Sequence, residues 1–144
     1  MLIGEYTHTL DPKKRISLPS KFRKEMGKTV VLARGLDKCL SVFSLKGWEK
    51  NAQKISELSK GSSDSRGFER AMFSGAMEAD VDSLGRILIP DFLKDFADLK
   101  TKVIITGVYD RAEIWDEERW NTYKNEMVAK TDELAQSLGE RGVF

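Results

Sequence analysis

Two nine-residue stretches hold the residues of this 144-residue chain best suited to chemistry. The first reads Asp11-Pro12-Lys13-Lys14-Arg15-Ile16-Ser17-Leu18-Pro19. The second reads Asp82-Ser83-Leu84-Gly85-Arg86-Ile87-Leu88-Ile89-Pro90. Asp, Arg, Ile and Pro recur in order, each 71 residues after its counterpart. Arginine presents a rigid fork of donors that fits phosphate or the acceptor edge of guanine. Lysines at a loop tip suit phosphate contacts, which position a protein on a duplex and make binding salt-dependent. Lys13, Lys14, Arg15 and Arg86 are therefore the candidate DNA-binding residues. Asp11 and Asp82 read as turn-shaping, because an aspartate carboxylate can bond the backbone N–H groups just ahead of it. For Arg86 the residues alone leave nucleic-acid contact and an ion pair with Asp82 equally open. The loops are unequal, with three basic residues in the first and one in the second.

Charge follows the same division. Residues 1–75 hold 15 Lys and Arg against 8 Asp and Glu, while residues 76–144 hold 9 against 15. Seven basic residues fall within 11–28, a footprint suited to a polyanion. Cys39 is the only cysteine, which excludes an intrachain disulfide and favours a cytoplasmic setting. His8 is the only histidine and lies far from Cys39, so a zinc site of the His/Cys type is not expected. Both read as packed or surface residues rather than as a nucleophile and a base. No apolar run spans a bilayer, and the start MLIGEYTH lacks the basic region of a signal peptide. There is no phosphate-cradling glycine loop, no HExxH and no workable Ser/His/Asp set, so neither an enzyme nor a cofactor is expected. Asp80, Asp82, Asp91, Asp95 and Asp98 read as a solvated face rather than a metal site.

The elements that position the loops repeat with them. Residues 6–10 alternate as a strand, then the first loop leads into a short strand at 16–18. A helix follows from Pro19 to Met26. Residues 29–33 and 39–43 are β-type runs, and a helix over 45–59 carries Trp48, Ala52, Ile55 and Leu58 on one stripe. After a polar join at 60–65 and a helix to Ser74, strand, loop, short strand and helix recur. Phe92 and Phe96 read as core. Gly107 then matches Gly35, and Trp120 matches Trp48, each at an offset of 72. That pattern implies a single one-residue length change between the repeats, and two βαβ-type units sharing one core. Asp116, followed by Glu117 and Glu118, is an expected N-cap. The expected boundaries are a first repeat over 1–60, a linker helix over 61–75, a second repeat over 76–127 and a helical tail over 128–144.

The segments MLIGEY, LDPKKRISLPSKFR, VDSLGRILIP and EIWDEERW together resemble the MraZ family over nearly the whole chain. The resemblance implies an α+β fold of two pseudo-twofold-related, AbrB-like repeats of the swapped-hairpin type with short helices. It also implies a bacterial transcriptional regulator, cytoplasmic and nucleoid-associated. Such proteins bind short direct repeats of double-stranded DNA upstream of the division and cell wall gene cluster, which contains their own gene. They self-associate into a ring whose Asp-x-x-x-Arg loops face the DNA, with no membrane partner. Arg15 and Arg86 match the motif arginines, and Lys13 matches the lysine common in the first motif. Lys14 stands where glycine or asparagine is usual, and Leu84 replaces a lysine. The alternatives are an antitoxin-like DNA-binding module that neutralises a toxin through its tail, and a structural ring that binds no DNA.

Overall fold

A computed structural model describes residues 1–144. The first half contains β1 (Leu2–Thr9), β2 (Arg15–Ser17), α1 (Ser20–Met26), β3 (Thr29–Arg34), β4 (Leu40–Ser44) and α2 (Leu45–Ser56). The linking helix is α3 (Ser63–Ser74). The second half contains β5 (Met77–Asp80), β6 (Arg86–Leu88), α4 (Asp91–Phe96), β7 (Lys102–Tyr109), β8 (Ala112–Asp116), α5 (Glu117–Ala129) and α6 (Thr131–Glu140). No helix is long and apolar enough to cross a membrane.

Six strands form one sheet in the order β1-β7-β8-β4-β3-β5, and β2 pairs with β6 in a separate ribbon. Every ladder is antiparallel. The expected βαβ-type units are therefore corrected: each half lends its first strand to the other. β1 joins β7, β5 joins β3, and the halves interlock as swapped hairpins. Repeat-equivalent residues face each other at two places, Ile16 against Ile87 and Ser41 against Glu113. The pseudo-twofold axis passes through both pairs.

The register also corrects the expected alignment. Val30 is to Ser44 as Val103 is to Asp116, so β3 and β7 are offset by 73 while β4 and β8 keep 72. Two residues are added between the short helix and β7, and one is removed in the following hairpin. Gly107 is thus equivalent to Arg34, not to Gly35. The physical reason is close approach. A Cβ on Gly107 would lie 2.5 Å from the Ile3 nitrogen and from the Leu2 carbonyl carbon. Gly107 pairs with Gly4, whose φ of +91° suits glycine, and β1 runs on for eight residues. At the equivalent place Arg34 lies against Gly75, and β5 has only four residues.

On one sheet face Val30, Leu32, Leu40, Val42, Val103, Ile105 and Ile114 meet Ile16, Leu18, Phe22, Ile87, Ile89 and Leu93 in a single core. The strands alternate, so Phe43 and Trp115 point the other way, where α2, α3 and α5 pack. Phe43 packs at a tilt against Trp48, and Trp115 against Trp120 and Tyr123. These residues line a groove of about 660 Å³ between the helices. Cys39 is fully buried, and burial pushes its thiol up to about 12.

Several local expectations shift. Phe92 is not core: α4 buries Leu93, and Phe92 is 44% exposed with the Arg34 guanidinium 6.0 Å from its ring centre. The helix bearing Trp48 ends at Ser56, so Leu58 lies beyond it and is exposed. Pro19 and Pro90 are N-caps rather than first helical residues. Asp116 is the N-cap of α5, yet its carboxylate accepts from the Lys100 N–H instead of from the helix.

Candidate nucleic-acid interface

An aspartate at the head of each loop folds a tight turn. In the first, the Asp11 N–H donates to the Arg15 carbonyl (3.0 Å), and the Lys14 N–H to the Asp11 carbonyl (2.9 Å). Asp11 Oδ1 accepts the Arg15 N–H at 2.8 Å. The second loop repeats this: Asp82 N–H to the Arg86 carbonyl, and Gly85 N–H to the Asp82 carbonyl, both at 2.9 Å. Asp82 Oδ1 accepts from the Leu84 and Arg86 N–H groups, each at 2.9 Å. The apex needs a left-handed residue, and Gly85 (φ +79°) supplies it cheaply. Its equivalent Lys14 sits at φ +63°, a conformation that costs a side-chain-bearing residue about 1–2 kcal/mol.

Each loop is also tied to the other repeat. The Ile89 N–H donates to the Lys14 carbonyl (2.8 Å), and the Leu18 N–H to the Gly85 carbonyl (2.9 Å). Ile16 and Ile87 turn inward as a buried pair at the centre of the ribbon. Arg15, Ser17, Arg86 and Leu88 therefore share its outward face. Arg15 and Arg86 stand two ladder steps apart on opposite strands. Strand rise and spacing put their Cα atoms roughly 8 Å apart.

The two arginines differ in their contacts. Arg86 Nε donates to Asp82 Oδ2 at 2.9 Å, a half-exposed ion pair. The Arg86 backbone N–H, then its side chain, holds the Asp82 carboxyl below its ordinary value. Arg15 takes part in no ion pair, nor does Lys13. Lys14 Nζ pairs with Asp91 at the start of α4, and that lysine lowers the Asp91 carboxyl. So the structure puts Arg15 and Arg86 on one face of the ribbon, with the loops that carry Asp11, Lys13 and Lys14 and Asp82 at its two ends; Arg15 and Lys13 take part in no ion pair, and Arg86 and Lys14 are engaged.

Sequence reasoning missed two neighbours. Asp91, taken for part of a solvated face, is the partner of Lys14. Arg23, on α1, lies against Gly85 of the second loop, where a Cβ would sit 1.9 Å from its Nη1. The available signal was weak: Arg23 belongs to the basic run 11–28, but nothing in its spacing connects it to residue 85.

A family model described as "MraZ protein, putative antitoxin-like" matches residues 1–71 and again 72–138. The "Transcriptional regulator MraZ" of Caldicellulosiruptor saccharolyticus is 46% identical over 143 residues, covering 99% of this chain and 100% of that one. The protein of the same name from Carboxydothermus hydrogenoformans is 42% identical over 138 residues, 96% of each chain. That of Finegoldia magna is 41% identical over 140 residues, covering 97% of this chain and 98% of its own. Both repeats match one family, and its members align along their whole lengths: the chain belongs to the MraZ family of transcriptional regulators.

Proposed function

We propose that the outward face of the β2–β6 ribbon binds double-stranded DNA in a sequence-specific way. The observation that carries this is the unpaired Arg15 guanidinium, set beside free Lys13 on a ribbon whose backbone is fixed from both repeats. A major groove about 12 Å wide admits a two-stranded ribbon. Arg15 and Arg86, roughly 8 Å apart, are separated by roughly two to three base-pair steps of 3.4 Å. In this reading Arg15 addresses a base edge, Lys13 holds phosphate, Lys14 does so when released from Asp91, and Arg86 assists. Asp11 and Asp82 set the turns.

The DNA is a set of short direct repeats upstream of the division and cell wall gene cluster that holds the protein's own gene. The protein acts there in the cytoplasm, associated with the nucleoid. Copies assemble in a ring, so that several weak loop contacts on spaced repeats add to tight binding through effective concentration. Apolar surface outside the core supports association: Val128 is 67%, Leu134 41% and Phe144 87% exposed. In this scheme segments 1–60 and 76–127 are the repeats, 61–75 links them, and 128–144 is a tail available for contacts.

The test is a gel-shift titration on DNA upstream of the protein's own gene. The wild type should bind with strong salt dependence, and Arg15→Ala should lose most of its affinity while keeping its fold. Full affinity in Arg15→Ala sinks the assignment of Arg15. The exposed tail also supports the antitoxin-like reading. Deleting residues after 128 separates the two, since that reading requires loss of a protein partner with DNA binding retained.

A further inference from the structure

The two loops trade charge across the pseudo-twofold axis. The 71-residue offset makes Lys14 equivalent to Gly85, Ser20 to Asp91 and Arg23 to Lys94. Each loop packs against the short helix of the opposite repeat, but the helices bring opposite charges. To the first loop α4 brings Asp91, which pairs with Lys14. To the second loop α1 brings Arg23, whose Nη1 and Cζ would lie 1.9 and 2.5 Å from a Cβ on Gly85. The guanidinium rests on bare backbone at the loop apex, a place that only glycine leaves open.

Arg23 is also incompletely satisfied. Its Nε is buried and has no hydrogen-bond partner. It takes part in none of the chain's ion pairs. Arg23 is half-buried, and its guanidinium has no counter-charge; a phosphate oxygen at its Nη atoms would supply one through charge-assisted hydrogen bonds.

We propose that Arg23 is the phosphate-binding residue of the second loop, supplied in trans by the first repeat, and that Asp91 restrains Lys14 of the first loop. This rests on the DNA-binding reading above. The loop that is poor in its own basic residues thereby gains one, and the rich loop has one held back. Each repeat needs the other for the charge of its interface as well as for its fold.

The experiment is fluorescence anisotropy of the full chain on duplex DNA from upstream of its own gene, across a KCl series. It compares wild type, Arg23→Gln, Arg23→Lys, Asp91→Asn, Lys94→Gln and Arg15→Ala. Losing one phosphate contact lowers the log K against log salt slope by about 0.9 per engaged subunit, or about eight-fold in affinity near 0.1 M. Arg23→Gln should show that loss, Arg23→Lys should keep the slope, and Asp91→Asn should steepen it. Lys94→Gln should change the slope less than Arg23→Gln. Thermal melts of each variant identify any that fail to fold; if Arg23→Gln is one, Arg23→Lys and Asp91→Asn decide. An unchanged slope in folded Arg23→Gln overturns the proposal, as does a slope lost in Arg23→Lys or an equal loss in Lys94→Gln. If wild type binds, Arg15→Ala fails to bind and Arg23→Gln matches wild type, only this inference falls. If wild type shows no salt-dependent binding, the DNA reading falls with it.

Discussion

Gly107→Ala should loosen the interlock of the two repeats while sparing the loops. The new Cβ would meet the Ile3 nitrogen and the Leu2 carbonyl carbon at 2.5 Å and the Ile3 Cα at 2.8 Å. Ordinary contact begins at 3.4 Å, and the neighbours are backbone atoms that cannot rotate aside. β1 therefore has two options. It can retreat by roughly 1 Å, an overpacking strain of about 1–3 kcal/mol. Or it can peel at its N-terminal end and expose Leu2, now 4% exposed, at about 1.5–3 kcal/mol. Both routes predict a loss near 2 kcal/mol, which for a chain of this size lowers Tm by about 4–8 °C. Urea titration separates them: a retreat leaves the m-value unchanged, while a peeled native state lowers it. Hydrogen exchange at Ile3 and Gly4 would accelerate only on peeling. The Leu10 N–H bond to the Thr101 carbonyl at the far end of the strand should persist. A loss below about 0.5 kcal/mol would refute the close-approach account, because it would mean that β1 and β7 tolerate a methyl between them.

Gly67→Ala should act in the opposite sense, since Gly67 lies mid-helix in α3 with nothing within 4 Å of an added Cβ; a gain of about 0.5–1 kcal/mol in urea melts is expected. Asp82→Ala should lower the urea midpoint more than Asp11→Ala, because Asp82 accepts two N–H groups and the Arg86 side chain whereas Asp11 accepts one N–H. The Asp82 carboxyl is held low in the fold, so its contribution is present above the unfolded carboxyl value near 4 and fades as pH falls through the folded one; Asp82→Ala should accordingly flatten the acid limb of a Tm–pH curve. Burial lowers His8, so the unfolded chain takes up its proton first and stability should fall as pH drops below about 6.5, a slope absent in His8→Gln. The Cys39 thiol, buried and raised to about 12, should react with a thiol reagent only after unfolding.

The duplicated layout was legible because the residues that define it are set by local geometry. Asp11 and Asp82 head equivalent turns, Ile16 and Ile87 plug one core, and Pro19 and Pro90 cap equivalent helices. What was not legible depends on partners distant in sequence. Gly107 looked like the strand-ending glycine at 35, yet its task is to admit β1, more than 100 residues earlier. Phe92 has the spacing of a core residue, but a six-residue helix buries only one narrow stripe, and Phe92 lies beside it. The swap itself leaves no trace in the motif spacing, because both copies of the duplicated hairpin carry the same local signals and the fit of β1 to Gly107 is a long-range one. Gly107 opposite Gly4, where the other side has Arg34 against Gly75, is what distinguishes the two pairings.

The departures from symmetry bear on the kind of DNA such a protein can read. A reader with true twofold symmetry matches a palindromic site. Here the axis passes between Ile16 and Ile87, so the fold places two equivalent turns about it. The side chains then break the equivalence. Arg15 is free while Arg86 is held by Asp82, and Lys14 is held by Asp91 while Gly85 bears no charge. An interface of that kind has a direction, and reversing the DNA beneath it would exchange a free arginine for a tethered one. Copies arranged head to tail, each reading in the same direction, would match repeats that run in the same direction. Under the proposed function, the inequality of the two loops is therefore what suits a symmetric scaffold to direct repeats. Removing the difference between the two arginines, by Asp82→Asn, should narrow the preference for direct over inverted repeats in a competition assay. If that preference stays unchanged in the folded variant, the tethering of Arg86 does not set the direction.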